Sequence, residues 1–409
     1  MWIRSILHFL LFWTASSFFV DAGAPDSKRF LTTAINKQNP QAPKPTDSLP
    51  LPKSNMSPPS EILLVYSDVD GTLVHYPSLD KVQEAPADIL RLPPSMTGMQ
   101  GIISSRTMQL CRSIRKDQST KFVLVSGMRT HTLLKRLPFL PRADAYCSEA
   151  GGRIFYPIED GDSTDGKAAP CFKSVEFDGA TPEDLESYGL VEDLEWRKRM
   201  ESPSAAGPDG YVGQEIEAFG QEEKSIPAIP VSERTGELWK FAQLLESKNL
   251  VLDVKGYSSC FRVNRKHQPA DNAAVMELFE SLLSGRGGID LPSTLATSTN
   301  LGCIDFYPAH SGKKNCCQYL MDKFPASHLP KRTLKENALF LCDDDNDLEM
   351  AMACEHAYLP GISSKSMEEL VAQDKSQFTL TEQGEVAGTR ATEAALALVL
   401  KRLASTLKP

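Results

Sequence analysis

Asp68 and Asp70 are the first residues in this chain equipped for chemistry, and they stand at the end of the apolar run Ile62-Leu63-Leu64-Val65-Tyr66. A run of that kind leading into Asp-Val-Asp-Gly-Thr predicts a buried parallel strand that stops at two carboxylates and a glycine turn. Residues two apart on a strand point to the same side, so the two acids lean into one crevice. A second acidic group, Asp343-Asp344-Asp345-Asn346-Asp347, directly follows the apolar stretch Ala338 to Cys342. Four carboxylates in five positions repel one another, and a folded crevice holding several of them needs a cation or raised pKa values. Hard oxygen ligands favour magnesium, which keeps part of its water and shares its shell with a substrate phosphate. Taken singly, each group also reads as solvated structure: an Asp-Gly turn after a strand, or an acidic helix start favoured by the helix dipole.

Stepping from these residues to the elements that hold them, strands and helices alternate. Ser105 to Arg115 reads as a helix, Lys121 to Val125 as a second buried strand stopping at Ser126-Gly127-Met128-Arg129-Thr130, and Ala143 to Cys147 as a third. A helix carrying Leu133, Leu134 and Leu137 separates the last two and is closed by Pro138. Such alternation predicts an α/β fold with a doubly wound parallel sheet, whose ligands sit beyond the carboxyl ends of the strands. From Arg153 to Tyr307 the pattern changes to helices at 183–200, 235–248 and 271–283 interleaved with strand pairs at 250–255 with 260–263 and 294–298 with 302–307. That is the mark of an inserted α+β domain with a largely antiparallel sheet. Two polar, Gly/Pro-interrupted pieces, 161–170 and 201–210, read as loops within it. The parallel pattern resumes with a helix at 315–324, the strand 338–342 and closing helices at 348–354 and 392–403.

Four separated elements resemble the motifs of the haloacid dehalogenase (HAD) superfamily of magnesium-dependent phosphohydrolases, over roughly residues 61–405. They are Asp68-Val69-Asp70-Gly71-Thr72, Ser126 after its strand, Lys313 in Ser311-Gly312-Lys313-Lys314, and Asp343 to Asp347. The long insert resembles the large cap of the subgroup with sucrose-phosphate, trehalose-phosphate and Cof-type sugar phosphatases. The resemblance implies a HAD-like Rossmannoid core in two parts, 61–152 and 308–409, with a cap at 153–307. It implies Asp68 as nucleophile and Asp70 as general acid and then base. Mg2+ would be held by Asp68, the backbone carbonyl of Asp70, Asp343 and Asp347. Ser126, Gly127 and Lys313 would bind the phosphoryl group, with Asn346 steadying Lys313 or the phosphate. The sequence departs from the family at three places: Cys342 stands where Gly is usual, Lys314 follows Lys313 in place of Gly, and Met128 interrupts Ser-Gly-Arg. Lys314 therefore stays an alternative to Lys313, and Arg129 is the counterpart of the displaced Arg.

The implied function is phosphomonoester hydrolysis on a small phosphorylated sugar or sugar-like alcohol. A phosphosugar mutase on the same fold and a non-catalytic carbohydrate- or partner-binding protein are the rival readings. Arg262, Asn264, Arg265 and Lys266 form a local basic cluster that is either a dock for a sugar phosphate or second anionic group, or a solvated hairpin end. Glu149, beside Gly151-Gly152 at the hinge, is placed to touch a sugar hydroxyl. Trp196 and Trp239 read as packing residues.

The whole chain sets limits on these readings. With 409 residues, 41% hydrophobic, 24% charged and a net charge of −9, it lacks the basic face of a nucleic-acid binder. Nine cysteines, an odd number and several in apolar segments, read as reduced buried thiols, and no Cys-x-x-Cys spacing suggests zinc. Met1-Trp2-Ile3-Arg4, the apolar Ile6 to Val20 and the small residues Ala22-Gly23-Ala24 have the layout of a signal peptide over 1–24, which leaves no stable membrane span after processing. Residues 25–59 read as a disordered leader. Together they resemble a bipartite plastid presequence, with a secreted or lumenal destination as the alternative.

Overall fold

A computed structural model describes residues 62–77, 88–92, 100–116, 120–158, 189–201, 230–285, 289–300, 302–324, 332–381 and 388–406. The expected signal peptide, the leader and the polar pieces at 161–170 and 202–210 lie outside the described residues. The described strands are β1 (Leu64–Ser67), β2 (Ile89–Arg91), β3 (Ile102–Ser104), β4 (Lys121–Val125), β5 (Ala145–Ser148), β6 (Arg153–Ile158) and β7 (Gly189–Glu192). They continue with β8 (Leu252–Asp253), β9 (Phe261–Asn264), β10 (Leu295–Asn300), β11 (Cys303–Pro308), β12 (Ala338–Leu341), β13 (His356–Leu359) and β14 (Phe378–Leu380). The helices used below are α1 (Ser105–Lys116), α2 (Thr130–Arg136), α3 (Leu194–Glu201), α4 (Glu237–Ser247), α5 (Ala273–Ser284) and α6 (Lys313–Lys323).

Strand β1 is central because both of its faces are buried. Val65 joins the apolar core that includes Leu124, Ile114 and Leu396, while Leu64 and Tyr66 join the opposite core with Val123, Leu320 and Met350. Burying the Tyr66 hydroxyl requires a partner, and it donates to the Cys317 carbonyl at 2.7 Å. Among the described residues the large sheet has the order β14-β13-β12-β1-β4-β5-β6-β7. Strands β1, β4, β5, β12, β13 and β14 run parallel. The chain moves from β1 to β4 on one side and later returns to β12 on the other. The crevice at the end of β1 is therefore the point where strand order reverses, the place where doubly wound sheets bind ligands.

The boundary expected at residue 153 shifts. β6 and β7 add to the large sheet as antiparallel edge strands, β6 on β5 and β7 on β6. Arg153 disguises this membership in the sequence, because its buried guanidinium is neutralised by Glu192 of β7 at 2.8 Å. The helix expected at 183–200 becomes β7 followed by α3, with residues 183–188 outside the described set. The break falls at Asp193, whose carboxylate accepts from the backbone N–H of Trp196 at 3.0 Å and so starts a new helix. The cysteines that are described are buried thiols, and burial pushes Cys316, Cys317 and Cys342 well above the usual thiol range.

The second sheet, β10-β11-β9-β8, is antiparallel throughout. Its apolar side chains Phe261, Val263, Ile304 and Phe306 pack with Trp239, Leu245 and Phe279 of α4 and α5. With period-two alternation the opposite face must carry the polar residues. That face bears Asp253, Arg262, Asp305 and Ser298, opposed to one another in register across the four strands.

Candidate active site

The register of the large sheet brings the distant acids together. Ser67 of β1 lies opposite Leu341 of β12 and Leu124 of β4. The residues just past these three positions are Asp68, Asp343 two further along, and Ser126 two further along, so all emerge at the same sheet end. The Asp68 backbone N–H donates to the Leu341 carbonyl at 2.9 Å and closes the join. Carboxylate oxygens of Asp68, Asp343 and Asp347 lie within 4.8 Å of one another, and all three residues are buried. Of the four acids in the second group, only Asp343 and Asp347 enter this cluster. Asp345 instead accepts from Thr299 of β10 at 3.0 Å and from Ser366 at 2.5 Å.

Lys313 supplies the charge that counters the cluster. As the first residue of α6 its ammonium reaches Asp68 at 2.7 Å, Asp347 at 2.6 Å and the Asn346 side-chain oxygen at 3.2 Å. Its side chain is 2% exposed, whereas Lys314 is exposed. Burial opposes its charge, yet Asp347 and Asp68 hold the ammonium well above the usual lysine range.

One lysine does not neutralise three carboxylates, and the titration behaviour reflects this. Asp68 is raised well above the usual carboxylate range by burial, with Asp347 and Asp343 adding to the effect and Lys313 opposing it. Asp343 is pushed up to about 7, first by burial and then by Asp347. Such a set of buried oxygens, crowded and short of positive charge, fits a hard divalent cation. The Asp343 carboxylate is aimed, with Thr72 donating to its Oδ1 at 2.8 Å and Ser363 to its Oδ2 at 3.1 Å. Gly71 makes room for it. A Cβ there would sit 2.1 Å from Asp343 Oδ2, and φ of +89° already disfavours any side chain.

Asp70 has different company. Its carboxylate accepts from Arg136 Nη1 at 2.8 Å and from the Tyr76 hydroxyl, and Arg136 also donates to Tyr76 at 2.6 Å. The side chain of Asp70 therefore lies outside the three-carboxylate cluster and retains 30% exposure. Arg136 and Tyr76 are functional neighbours that the sequence reading passed over. Ser126 is buried, its hydroxyl accepting from the Met128 N–H at 3.2 Å, with Gly127 buried in the same turn. Arg129 does not turn toward the acids; it reaches the second sheet, donating to the Lys255 carbonyl at 2.9 Å and pairing with Asp253.

One expectation is corrected by the geometry, and one left open is divided. Glu149 is fully buried, and its carboxylate is occupied by the Ser258 and Ser259 backbone N–H groups at 2.9 and 2.7 Å and by Thr130 at 2.8 Å. It fastens the loop before β9 to the large sheet and has no oxygen left over for a sugar. Burial opposes its charge, but Arg153 and these donors hold it below the usual carboxylate range. The basic cluster also comes apart. Arg262 pairs with Asp305, Asn264 caps the turn at Lys266, and Arg265 reaches Glu280 of α5 on the outer side at 2.9 Å. Trp196 and Trp239 are packed in apolar cores, and the Trp196 indole donates to the Gly151 carbonyl at 2.9 Å.

No family model and no curated protein matches the chain. Among solved structures it is similar to the sucrose-phosphatase of Synechocystis, in complex with sucrose and phosphate, at 12% identity with a TM-score of 0.44, covering 82% of this chain and 98% of that one. It is similar to a phosphatase of the HAD enzyme superfamily from Bacteroides thetaiotaomicron at 15% identity and a TM-score of 0.41, covering 86% and 100%. It is also similar to the trehalose-6-phosphate phosphatase of Aspergillus fumigatus at 13% identity and a TM-score of 0.35, covering 84% and 94%.

Proposed function

We propose that this protein is a magnesium-dependent phosphomonoester hydrolase that works through an aspartyl-phosphate and takes a small phosphorylated sugar or sugar-like alcohol. The observation that carries the reading is the position of Lys313, within 2.7 Å of Asp68 and 2.6 Å of Asp347 at the switch point of the sheet. An ammonium there opposes the burial that favours the protonated form of the attacking carboxylate, and it is placed to bind an incoming phosphoryl oxygen.

An Asp68 oxygen attacks phosphorus, the bond from phosphorus to the ester oxygen breaks, and Asp70 delivers a proton to the departing alcohol. Water, deprotonated by Asp70, attacks phosphorus in the second step and returns Asp68 as a free carboxylate with release of phosphate. Arg136 and Tyr76 orient the Asp70 carboxylate for both transfers. Ser126, the Gly127 backbone and Lys313 hold the non-reacting phosphoryl oxygens, and Asn346 steadies Lys313. Asp68, Asp343 and Asp347, with the Asp70 carbonyl, would hold Mg2+, which would supply positive charge against the phosphoryl oxygens. The small sheet with α4 and α5 serves as the cap that reads the leaving group.

A phosphate-release screen over sugar phosphates, with and without magnesium, tests this reading. Release of free phosphate that depends on magnesium and is lost in Asp68→Asn supports it. Conversion of one sugar phosphate to its isomer without phosphate release would assign the site to a mutase instead.

A further inference from the structure

Two arginines meet on the polar face of the small sheet, Arg262 from β9 and Arg129 from the loop after Ser126, and neither brings net positive charge. Arg262 is bound fork to fork by Asp305, Nε to Oδ1 at 2.6 Å and Nη2 to Oδ2 at 2.8 Å. Asp305 is 3% exposed at the side chain, so the partner is a fixed part of the sheet. Arg129, arriving from the loop after Ser126, is paired with Asp253 and lies over the Tyr257 ring at 4.7 Å. Two guanidinium groups and two carboxylates thus form one row that sums to zero. Beside the row, Tyr307 packs against Gly312, the residue before Lys313, with a Cβ at Gly312 reaching Tyr307 Cε2 at 3.5 Å. Thr299 of β10, in register with Ile304 and so on the other face, donates to Asp345 and ties the sheet to the loop of the second acidic group.

We propose that this row selects a leaving group that offers hydroxyls and carries no second anionic charge. The inference rests on the phosphatase reading above and narrows its substrate class. A guanidinium already bound by a carboxylate has little free charge for a phosphate or carboxylate, whose binding there would set it against Asp305 and Asp253. Hydroxyls suit the same row well, since each accepts from an arginine N–H and donates to a carboxylate oxygen at once. Nη1 of Arg262 has no hydrogen bond to a described residue and retains that donor. A lone arginine would favour an anion; the bidentate pair makes the site polar and neutral.

Matched pairs of esters separate the possibilities. The full-length protein with magnesium is assayed for phosphate release on p-nitrophenyl phosphate, on glucose 6-phosphate against 6-phosphogluconate, and on glucose 1-phosphate against glucose 1,6-bisphosphate. The expected result is a kcat/KM preference for the neutral member of each pair on the order of tenfold or more. Asp305→Asn, which leaves Arg262 without its carboxylate, is expected to narrow the preference on the order of tenfold, read as the kcat/KM ratio within each pair. Asp253→Asn tests the same point through Arg129 should the first variant fail to fold. Equal or better hydrolysis of the charged member, a ratio unmoved by both variants, or cleavage of the aryl ester alone overturns the inference and leaves the phosphatase reading standing. No phosphate release from any ester, the aryl one included, overturns the phosphatase reading itself.

Discussion

Replacing Lys313 by methionine preserves the length of the side chain and removes its charge. The ammonium now has carboxylate oxygens at 2.7 and 2.6 Å, with 2% of the side chain exposed. At an effective dielectric constant of about 20, each contact is worth roughly 6 kcal/mol in Coulomb terms, most of it offset by the cost of burying the charges. What breaking the pairs exposes is a cluster of three buried carboxylates with no cation. Loss of one partner in such a group typically costs about 3–5 kcal/mol. Urea unfolding of Lys313→Met near neutral pH in magnesium-free buffer should show a loss of that order, smaller when magnesium is added. Phosphate release should fall by about 100- to 1,000-fold with magnesium present, because the donor to the phosphoryl oxygens is gone. Lys314→Met is the control: it is exposed, and it should stay within about 0.5 kcal/mol of the parent. If Lys313→Met unfolds and turns over like the parent, or Lys314→Met reproduces the loss, the placement of Lys313 is wrong.

Four further outcomes follow from the same geometry. Magnesium at about 100 times its dissociation constant should raise unfolding free energy by about 2.7 kcal/mol in the parent; Asp343→Asn should abolish most of that gain in a calorimetric scan. Gly71→Ala drives a methyl into Asp343 Oδ2 from a backbone at φ +89°, and a displacement of about 1 Å there should cost on the order of 100-fold in phosphate release. Arg136→Met removes the cation that aims Asp70, and should lower kcat on the order of 10- to 100-fold with little change in stability toward magnesium. Glu149 is held below its usual value of 4.5, so its share of stability is present above that pH and is lost as pH falls through the lower folded value. Glu149→Gln should therefore flatten the acid limb of a stability–pH profile, and should cost about 2–3 kcal/mol at neutral pH through the lost charged hydrogen bonds.

The chemistry-bearing residues were readable wherever an apolar strand delivered them. Asp68, Asp343 and Ser126 follow β1, β12 and β4, and strand ends at a reversal of sheet order converge whatever the chain length between them. Lys313 was readable through its motif and its spacing to the following helix, and of the two lysines it is the buried one. Arg136 left no such signal: it reads as a basic residue in the last turn of a helix, which the helix dipole alone would explain. The basic cluster around Arg262 left two readings open, a dock and a solvated hairpin end, for a related reason. Its partner Asp305 is 43 residues away, and only the antiparallel register of β9 with β11 makes them neighbours. The late start of the second sheet was hidden likewise, since Arg153 reads as a charged residue opening the insert until Glu192 is placed beside it.

The most direct test of Asp68 as nucleophile is borohydride trapping during steady-state phosphate release from a sugar monophosphate with magnesium. An acyl phosphate is reduced by borohydride to the alcohol, so peptide mass spectrometry should find homoserine at position 68, dependent on substrate and absent from Asp68→Asn. Steady phosphate release with no reduced residue at position 68, or with the reduced residue at Asp70, Asp343 or Asp347 instead, would contradict it.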